Sequence, residues 1–351
     1  MKHYDIVIIG GSVAGSTLAR ELDSNQKVLI VEKRDLRVEP SKLIKNCGGL
    51  IAPDAQKALA KFGLSMPKDI LVSPQMFCVK SIDFDNNMTR DYQRHYINVD
   101  RELFDRWLFS LVPQSVDSSF KTRFRGFMRK GDRYIVELTK DGCRFEVSCD
   151  ILVGADGANS KVKKSLHPTH TPQRYVSIQE WFKLPKPIHS FGAVFDSEIS
   201  DFYSWIIPKD EYVIFGSAIK EGQDIQKLHN LQKQKLKEYG FEFGKAIKKE
   251  GCYLLRPNSS QDIYLGENSI ALIGEAASFI SPTSAEGISY AMLSAKELAK
   301  AINTDSQNFI QLYNKNVKYL KKNIDKKMLK YPFMYNSTIR KMIFKLRVGA
   351  L

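Results

Sequence analysis

Short, continuously apolar runs recur at the start, in the middle and near the end of the chain. Such runs are typical of strands that are buried on both faces of a parallel sheet. Four of them predict strands: DIVIIG at 5–10, KVLIVE at 27–32, CDILVG at 149–154 and SIALIG at 269–274. Helix-forming residues at 12–23 follow the first run, so the chain opens with a predicted βαβ unit. A long helix is predicted over 286–302.

Between these runs the chain alternates polar and apolar residues, as antiparallel strands do. Examples are YVSIQEWFKL and YVIFGSAI. We therefore expect an α/β fold in which a discontinuous Rossmann-type domain holds an inserted antiparallel-sheet domain and is followed by a helical C-terminal segment. The expected boundaries are 1–65, 99–171 and 263–304 for the Rossmann-type domain, 66–98 and 172–262 for the inserted domain, and 305–351 for the C-terminal segment.

Composition excludes several classes of protein. With 351 residues, of which 43% are hydrophobic and 26% charged, the chain has room for two or three domains and a sizeable core. No apolar run reaches 18 residues, so no transmembrane helix is expected, and the start, MKHYDIVIIGG, is unlike a signal peptide. The five cysteines form no CxxC pair, which predicts a reduced, cytoplasmic protein without a disulfide framework or a bound metal.

The positive charge is concentrated near the C-terminus. Of the net charge of +14, residues 315–351 carry +10, because eleven Lys or Arg stand there against Asp325 alone. Beyond Pro332, apolar and cationic residues follow the pattern of a basic amphipathic helix: Ile339, Arg340, Lys341, Met342, Ile343, Lys345, Leu346, Arg347 and Leu351. This helix would either hold the protein on an anionic surface at the inner face of the membrane or pack on the protein with a solvated basic face. No nucleic acid partner is expected, because the cations lie on a tail rather than in a groove.

The first glycine cluster has the context of a dinucleotide-binding turn. GGSVAG at 10–15 follows a predicted strand and opens a helix, and an acidic residue, Glu32, ends the next strand. The helix N-terminus would face a pyrophosphate, and Glu32 would accept hydrogen bonds from an adenosine ribose. The predicted cofactor contacts in this region are Gly10, Ser12, Ala14, Gly15, Glu32 and Lys33.

Two later glycine clusters, GADG at 154–157 and GEAASFISPTSAEG at 274–287, add to the first. Together the three resemble the glutathione-reductase type of FAD-binding domain in its hydroxylase-like branch. The resemblance implies FAD as the cofactor and places Arg101 near the pyrophosphate, where the alternative is a solvated helix charge. It also implies a set of residues around the ribityl chain and the pyrimidine edge of the flavin: Asp156, Gly157, Gly274, Glu275, Gly287 and Ile288.

Two further segments narrow the resemblance. KNCGGL at 45–50 is similar to the KxCGG segment of geranylgeranyl reductases. YSWIIPKDEYVIFGSA at 203–218 is similar to their YxWxFP segment, although Ile207 and Ala218 replace a Phe and a Gly. Within that superfamily, residues from about 4 to about 300 most resemble the CbrA-like branch, in segments such as CGGLIAPDAQ and LIGEAASFIS. Glu275, where the wider superfamily has Asp, is itself a feature of this branch.

The resemblance places Cys47 and Gly48 at the flavin, and Tyr203 and Trp205 in the wall of a lipid-binding cavity. Cys47 would be either a catalytic residue or a small buried apolar residue, the usual place of a free cysteine. Tyr203 and Trp205 are two positions apart on a predicted strand, so they share a face. They would either line the cavity or pack in the core.

These expectations combine into an FAD-dependent oxidoreductase that reduces carbon–carbon double bonds of an isoprenoid or other apolar lipid by hydride transfer. The chain has no second GxGxxG segment, so the reductant would be a transiently bound NAD(P)H, a small electron-transfer protein or the substrate itself. Two alternatives stay open: a flavin monooxygenase of the same fold branch, and a flavin-bound redox or membrane-accessory protein without catalysis. The oligomeric state also stays open.

Overall fold

The computed structural model describes residues 1–38, 46–167, 172–184 and 186–347. In these ranges the strands are β1 (Lys2–Ile9), β2 (Val28–Val31), β3 (Leu50–Ile51), β4 (Met76–Asp83), β5 (Met88–Asn98), β6 (Asp117–Ser119), β7 (Thr122–Lys130), β8 (Arg133–Lys140), β9 (Cys143–Gly154), β10 (Gln173–Lys183), β11 (Phe191–Phe195), β12 (Ser204–Lys209), β13 (Tyr212–Lys220), β14 (Ala246–Arg256), β15 (Gly266–Glu267) and β16 (Ile270–Leu272). The α-helices are α1 (Val13–Glu21), α2 (Pro53–Lys61), α3 (Arg101–Ser110), α4 (Lys161–Leu166), α5 (Ile225–Glu238), α6 (Ile288–Thr304), α7 (Phe309–Asn316), α8 (Lys318–Leu329), α9 (Tyr331–Tyr335) and α10 (Ser337–Leu346). Short 3₁₀ helices cover Lys68–Ile70, Ser260–Asp262 and Gly274–Ala277.

The first sheet is of the Rossmann type. Its parallel strands run in the order β16-β9-β1-β2-β6, and the antiparallel strands β8 and β7 continue from β9. The four apolar runs form its centre, where Ile8 lies beside Ile30 on one side and Val153 on the other, all fully buried. β-Branched residues suit this position because both faces of the sheet are covered by other elements. The expected α/β fold with a Rossmann-type domain is confirmed.

The second sheet has the order β14-β10-β13-β12-β11-β4-β5-β3. Its neighbouring strands are antiparallel except for β11 and β4, which are parallel. Strands β4 and β5 come from residues 76–98, strands β10 to β14 from residues 173–256, and the short edge strand β3 from Leu50–Ile51, so three separate parts of the chain meet in one sheet. The alternating pattern therefore predicted the right kind of strand in the two longer parts.

The C-terminal segment, residues 305–351, divides between the two sheets. Helices α7 and α8, with the residue between them, complete the core of the first sheet with five buried residues: Phe309, Tyr313, Val317, Leu320 and Ile324. Helices α9 and α10 lie over the second sheet, where Phe344 joins an aromatic cluster and packs against Tyr92 with ring centroids 6.1 Å apart. Among the helices described above, none is long and apolar enough to cross a membrane.

The structure changes the expected pattern of α10. Arg340 is only 1% exposed, and its guanidinium donates to Asp83 at 2.7 and 2.8 Å and to Asp85 at 2.6 Å. The sequence-based assignment of Arg340 to a row of outward cations is therefore wrong, because these two carboxylates beside β4 hold it inside the protein. Ile343 is buried on the same side, and Leu351 lies outside the described residues.

Candidate functional site

The turn after β1 is closed too tightly for side chains. Gly10 has a φ of +110°, and a Cβ there would lie 2.4 Å from the carbonyl oxygen of Ala155. A Cβ on Gly15 would lie 1.8 Å from the carbonyl oxygen of Gly10. The end of β1, the start of α1 and the GADG segment therefore meet in one place. This place is at the carboxyl ends of the parallel strands, where ligands of such sheets bind.

The first turn of α1 is open to an anion. Its N-cap residue, Ser12, makes no capping hydrogen bond with its side chain and instead donates to Asp105 Oδ2 at 2.8 Å. The turn contains no acidic residue, and Ala14 presents only a methyl group there. The unsatisfied backbone amides and the positive end of the helix dipole are thus available to a pyrophosphate.

Glu32, directly after β2, borders the same turn. It is buried, its Oε2 accepts from the amide of Gly11 at 2.8 Å, and its Oε1 accepts from the amide of Arg34 at 3.0 Å. Oε1 also accepts from Arg34 Nε at 3.3 Å, whereas Oε2 keeps a further lone pair, so this oxygen fits a ribose hydroxyl. The neighbouring Lys33 is exposed.

Replacing Glu32 with alanine is expected to weaken FAD binding by about 1–3 kcal/mol, the usual cost of leaving a buried donor without an acceptor. The measurement is a fluorescence titration of the apoprotein with FAD. Glu102→Ala is the matched control, because Glu102 Oε2 also accepts from Arg34, at 2.8 Å, whereas the amide of Gly11 donates to Glu32. An equal loss in both variants would show that the effect comes from Arg34 rather than from the ribose acceptor.

Arg101 and Arg34 meet at a buried carboxylate that the sequence analysis missed. Asp105 in α3 pairs with Arg101, four residues before it, and with Arg34, whose Nη2 donates at 3.0 Å. Arg101 Nη2 also makes a long hydrogen bond of 3.4 Å to Ser12 Oγ. Burial opposes ionisation here, but the neighbouring carboxylates, led by Asp105, raise the pKa of Arg34. The arginine expected at the pyrophosphate is therefore beside the turn and is buried, not solvated.

The two later glycine clusters border this turn. Asp156 Oδ2 accepts from the amide of Lys161 at 2.7 Å, whereas its Oδ1 has no hydrogen-bond partner in the part of the chain described. Burial raises the pKa of Asp156. The space around the missing Cβ of Gly157 is open for 4 Å, and a Cβ on Gly274 would lie 3.2 Å from that of Ala14. A bound dinucleotide would give Asp156 Oδ1 a hydrogen-bond partner and would occupy the open space beside Gly157.

Glu275 and Gly287 lie at opposite ends of the last cluster. Glu275 Oε1 accepts from the amide of Leu255 in β14 at 3.0 Å, so this carboxylate joins the first domain to the second sheet. Gly287 is the N-cap of α6, which begins at Ile288 with neither a side-chain cap nor an acidic residue in its first turn. The N-terminus of α6 is therefore open in the same way as that of α1, which suits an anionic ring edge.

Side chains of the second sheet and of α9 fasten the loop before α6. Glu286 accepts from Arg94 at 3.0 Å and from Tyr96 at 2.9 Å, both of them in β5. The hydroxyl of Tyr203 donates to the carbonyl of Ser284 at 2.9 Å, and that of Tyr335 donates to the carbonyl of Thr283 at 2.6 Å. The loop thus connects the start of α6 to the second sheet and to the C-terminal segment.

The CGG segment packs directly on β12. A Cβ on Gly48 would lie 2.4 Å from Cδ1 of Ile207, and one on Gly49, whose φ is +65°, would lie 2.3 Å from the carbonyl oxygen of Val99. Cys47, just before these glycines, is half-buried. The preceding Lys45 lies outside the described residues. The thiol is therefore carried by backbone that rests on an apolar strand of the second sheet.

Lys209, which the sequence analysis did not single out, fixes this segment. Its Nζ donates to Asn98 Oδ1 at 2.5 Å, to the carbonyl of Val99 at 2.8 Å and to the carbonyl of Gly49 at 3.3 Å. The three acceptors match the three protons of an ammonium group, but none of them is charged. Burial therefore lowers the pKa of Lys209 to about 7.

This pKa predicts a pH-dependent stability. The unfolded chain keeps the Lys209 proton up to a pH of about 10.4, whereas the folded chain releases it near pH 7, so stability should rise with pH between these values. Lys209→Met is expected to be less stable overall and to lose part of that rise. Urea unfolding at several pH values from 6 to about 10 measures both effects. Burial also lowers the pKa of Lys163, to about 8, so this lysine accounts for the rise in stability that remains in the variant. A slope of stability against pH that is the same in Lys209→Met as in the unaltered protein would contradict the prediction.

Tyr203 and Trp205 belong to the aromatic cluster of the second sheet. Their ring centroids are 5.9 Å apart, and the indole of Trp205 covers Gly216, where a Cβ would lie 2.3 Å from it. Trp205 is buried, yet its Nε1 has no hydrogen-bond partner among the described residues. Trp205 thus packs in this cluster, Tyr203 is half-buried against it, and contact of either side chain with a substrate stays a prediction.

One group of potential metal ligands lies away from this site. His3, Asp5 and Asp150 bring their ligand atoms within 4.8 Å of one another at the start of β1, the opposite end of that strand from Gly10. His3 Nε2 and Asp150 Oδ2 lie 3.3 Å apart, so these residues pair with each other. The group does not belong to the candidate site.

Comparison with known proteins agrees with this geometry. The FAD binding domain family (FAD_binding_3) matches residues 109–307. Protein CbrA of Escherichia coli O9:H4 is 40% identical over 347 residues, which cover 98% of this chain and 94% of that protein. Protein CbrA of Shigella flexneri serotype 5b is 43% identical over 304 residues, covering 86% and 82%.

Solved structures share the fold at low sequence identity. A geranylgeranyl bacteriochlorophyll reductase-like protein from Thermoplasma acidophilum has a TM-score of 0.84 at 18% identity and covers 99% of this chain and 93% of its own. The flavin-dependent brominase Bmp2 has a TM-score of 0.69 at 18% identity, covering 98% and 93%. These structural likenesses show the fold, whereas the match to the FAD binding domain family and the identity with the CbrA proteins show the family. The chain belongs to the FAD-binding oxidoreductase and monooxygenase family and, within it, to the group of the CbrA proteins.

Proposed function

We propose that this protein reduces carbon–carbon double bonds of an isoprenoid or other apolar lipid. The observation that carries the proposal is the packing of the CGG segment on β12, which sets the thiol of Cys47 beside an apolar, aromatic strand. The likeness in fold to a protein described as geranylgeranyl bacteriochlorophyll reductase-like supports it. The reductant would be NAD(P)H or a small electron-transfer protein.

The residues around Cys47 have separable roles in this proposal. FAD, which the turn after β1 and Glu32 would hold, would supply the hydride for one alkene carbon when bound in its reduced form. The Cys47 thiol supplies the proton for the other carbon, and Trp205 and Ile207 keep water away from that transfer. Lys209 is a positioning residue, since it holds the carbonyl of Gly49 two residues after the thiol. The open N-terminus of α6 stabilises negative charge on the flavin.

A monooxygenase is the second candidate, because the fold is also that of a flavin-dependent brominase. The two functions differ in what the substrate gains. A reductase adds two hydrogens without dioxygen, whereas a monooxygenase adds one oxygen atom and consumes dioxygen. The thiol favours the reductase, since it offers a proton donor beside the apolar strand.

Anaerobic turnover in deuterated water tests the proposal. The FAD-loaded protein is reduced chemically, mixed with a detergent-dispersed polyprenyl lipid, and followed by flavin absorbance and by mass spectrometry of the lipid. Reoxidation of the flavin together with two deuteriums in the saturated product supports the reductase, because both the hydrogen on reduced flavin N5 and the thiol proton exchange with the solvent. Reoxidation only after air is admitted, with an oxygen atom in the product, supports the monooxygenase. Peroxide release with an unchanged lipid, over a panel of apolar alkenes, contradicts both.

Trp205→Leu is expected to raise the KM for the lipid while FAD affinity stays within twofold. The substitution changes the shape of the apolar wall that the lipid would contact, and a mismatch of one methylene in such a wall costs about 1–3 kcal/mol, so the KM should rise about tenfold or more. Steady-state kinetics and an FAD titration give the two quantities. Phe215→Leu is the matched control, because Phe215 is buried in a different cluster, against His229. An equal loss of FAD affinity and lipid affinity in Trp205→Leu would assign this tryptophan to the core alone.

A further inference from the structure

Helix α10 has two faces of opposite character. Its inner face carries Arg340, Ile343 and Phe344, all buried. Its outer face carries Met342, which is 58% exposed, and Leu346, which is 69% exposed. The two side chains are four positions apart in the helix, so they lie side by side, and contiguous exposed apolar surface of this kind marks interaction sites.

The inner face keeps α10 in place. Arg340 is paired with Asp83 and Asp85, and Arg90 Nη1 donates to the carbonyl of Ile343 at 2.9 Å. The helix is therefore part of the folded protein rather than a loose tail that orders only on contact. Its outer face is presented in a fixed orientation.

Cations surround the exposed apolar pair. Lys341, Lys345 and Arg347 are exposed and form no ion pair within the described part of the chain, and α10 contains no acidic residue. The segment just before α10 repeats the pattern, with Leu329 75% exposed, Phe333 46% exposed and Lys330 beside them. Exposed apolar side chains flanked by cations are the pattern of helices that lie in the interface of an anionic bilayer.

We propose that the outer face of α10 docks this protein on an anionic phospholipid bilayer. The charge selects this occupant over a protein partner, because lysine is depleted in the cores of protein interfaces but is attracted to anionic headgroups. The docking face is the side of α10 opposite to Arg340, which is paired with Asp83 and Asp85. The outward cations of this helix therefore contact the bilayer, and Arg340 does not.

Docking at this face would bring the bilayer close to the aromatic cluster of the second sheet. Phe344, on the inner face of the same helix, packs against Tyr92 of that cluster, so one helix diameter, about 10 Å, separates the cluster from the docked surface. This step rests on the proposed function, since it gives an apolar lipid a short route from the membrane to the second sheet. The docking itself does not depend on which reaction the protein catalyses.

Vesicle co-sedimentation of the full-length, FAD-loaded protein tests the inference. The vesicles are phosphatidylcholine alone, or equal parts of phosphatidylcholine and phosphatidylglycerol. The unaltered protein should sediment with the anionic vesicles only, and less so at 1 M salt, where the Debye length is about 3 Å. Lys341→Gln/Lys345→Gln should weaken binding about 30-fold, because each cation contributes about 1 kcal/mol near an anionic leaflet and 1.4 kcal/mol is a factor of ten. Met342→Ser/Leu346→Ser should weaken binding to the anionic vesicles at low and at high salt.

Matched variants elsewhere on the surface serve as controls. Lys130→Gln/Lys140→Gln removes the same charge from exposed positions in the first domain, and Met128→Ser/Ile247→Ser removes apolar side chains that are 50% and 58% exposed. Both controls should bind as the unaltered protein does. Control variants that lose as much binding as the α10 variants, or an unaltered protein that stays in the supernatant, would overturn the inference.

Turnover on detergent-dispersed lipid separates this inference from the proposed function. The α10 variants should keep that turnover and lose only vesicle binding. Vesicle binding without any turnover would leave the docking in place and contradict the reductase, whereas turnover without vesicle binding would contradict the docking alone.

Discussion

Cys47→Ala is expected to keep FAD bound but to lower alkene reduction about 10²–10⁴-fold, the usual contribution of one general acid. The reason is the position of the thiol, on a segment that packs against β12 through Gly48 and is held by Lys209 through Gly49. Alanine removes the thiol and offers no other proton donor. Turnover under anaerobic conditions and the flavin spectrum of the same sample give the two readouts.

The control for this variant is Cys78→Ala. Cys78 is also half-buried, but it lies in β4 opposite Gln93 and away from the CGG segment, so its loss should leave turnover unchanged. Unchanged turnover in Cys47→Ala would show that Cys47 is a small packed residue, the alternative that the sequence left open. A shift in the pH profile without a loss of rate at the optimum would instead assign it an indirect role.

Arg340→Met is expected to destabilise the protein by about 3–5 kcal/mol, the typical cost of removing one partner from a buried ion pair. The substitution keeps the apolar length of the side chain but leaves Asp83, which is 1% exposed, without its countercharge. Denaturant unfolding measures the loss, and the variant should also expose the aromatic cluster beneath α10.

Lys341→Met is the neighbouring control for that variant. Lys341 lies on the outer side of the same helix and forms no ion pair in the described ranges, so its replacement should change stability by no more than about 0.5 kcal/mol. Equal stability of the two variants would mean that Arg340 is not anchored as the structure shows.

The anchoring of α10 also predicts the effect of a truncation. A chain cut after Pro332 loses Arg340 and Phe344 together, so it should be less stable than the full chain.

Local patterns were enough to predict the first domain. A short apolar run such as DIVIIG, rich in β-branched residues and ended by glycine, favours a strand with both faces covered. The glycine turn and helix that follow it, with Glu32 after the next strand, favour a dinucleotide site at that turn. The CGG segment and the strand of Tyr203 needed the resemblance to a family, because a free cysteine or an alternating aromatic pair is common in ordinary cores.

The missed residues depend on contacts between distant parts of the chain. Asp105 meets Arg34 across 71 positions, and Arg340 meets Asp83 across 257. A local sequence pattern does not predict contacts between such distant residues. Arg340 and the exposed Lys341 are adjacent cations in one helix, so the pattern does not tell which of them is buried. Lys209 could have been found, because it continues the alternation of Tyr203 and Trp205 on the same face of one strand.

The strand order of the first sheet also governs how this protein is made. One neighbour of β1 in the sheet, β2, is synthesised soon after β1. The other neighbour, β9, pairs with β1 through residues 147–154, and β16, the strand beyond β9, ends at Leu272. At a synthesis rate of about 5–20 residues per second, roughly 10–50 s pass between completion of the first strand and completion of the sheet. During that time apolar strand edges stay unpaired, and such non-local parallel pairing is slow even afterwards. The nascent chain is therefore a natural client for chaperones that shield strand edges during translation.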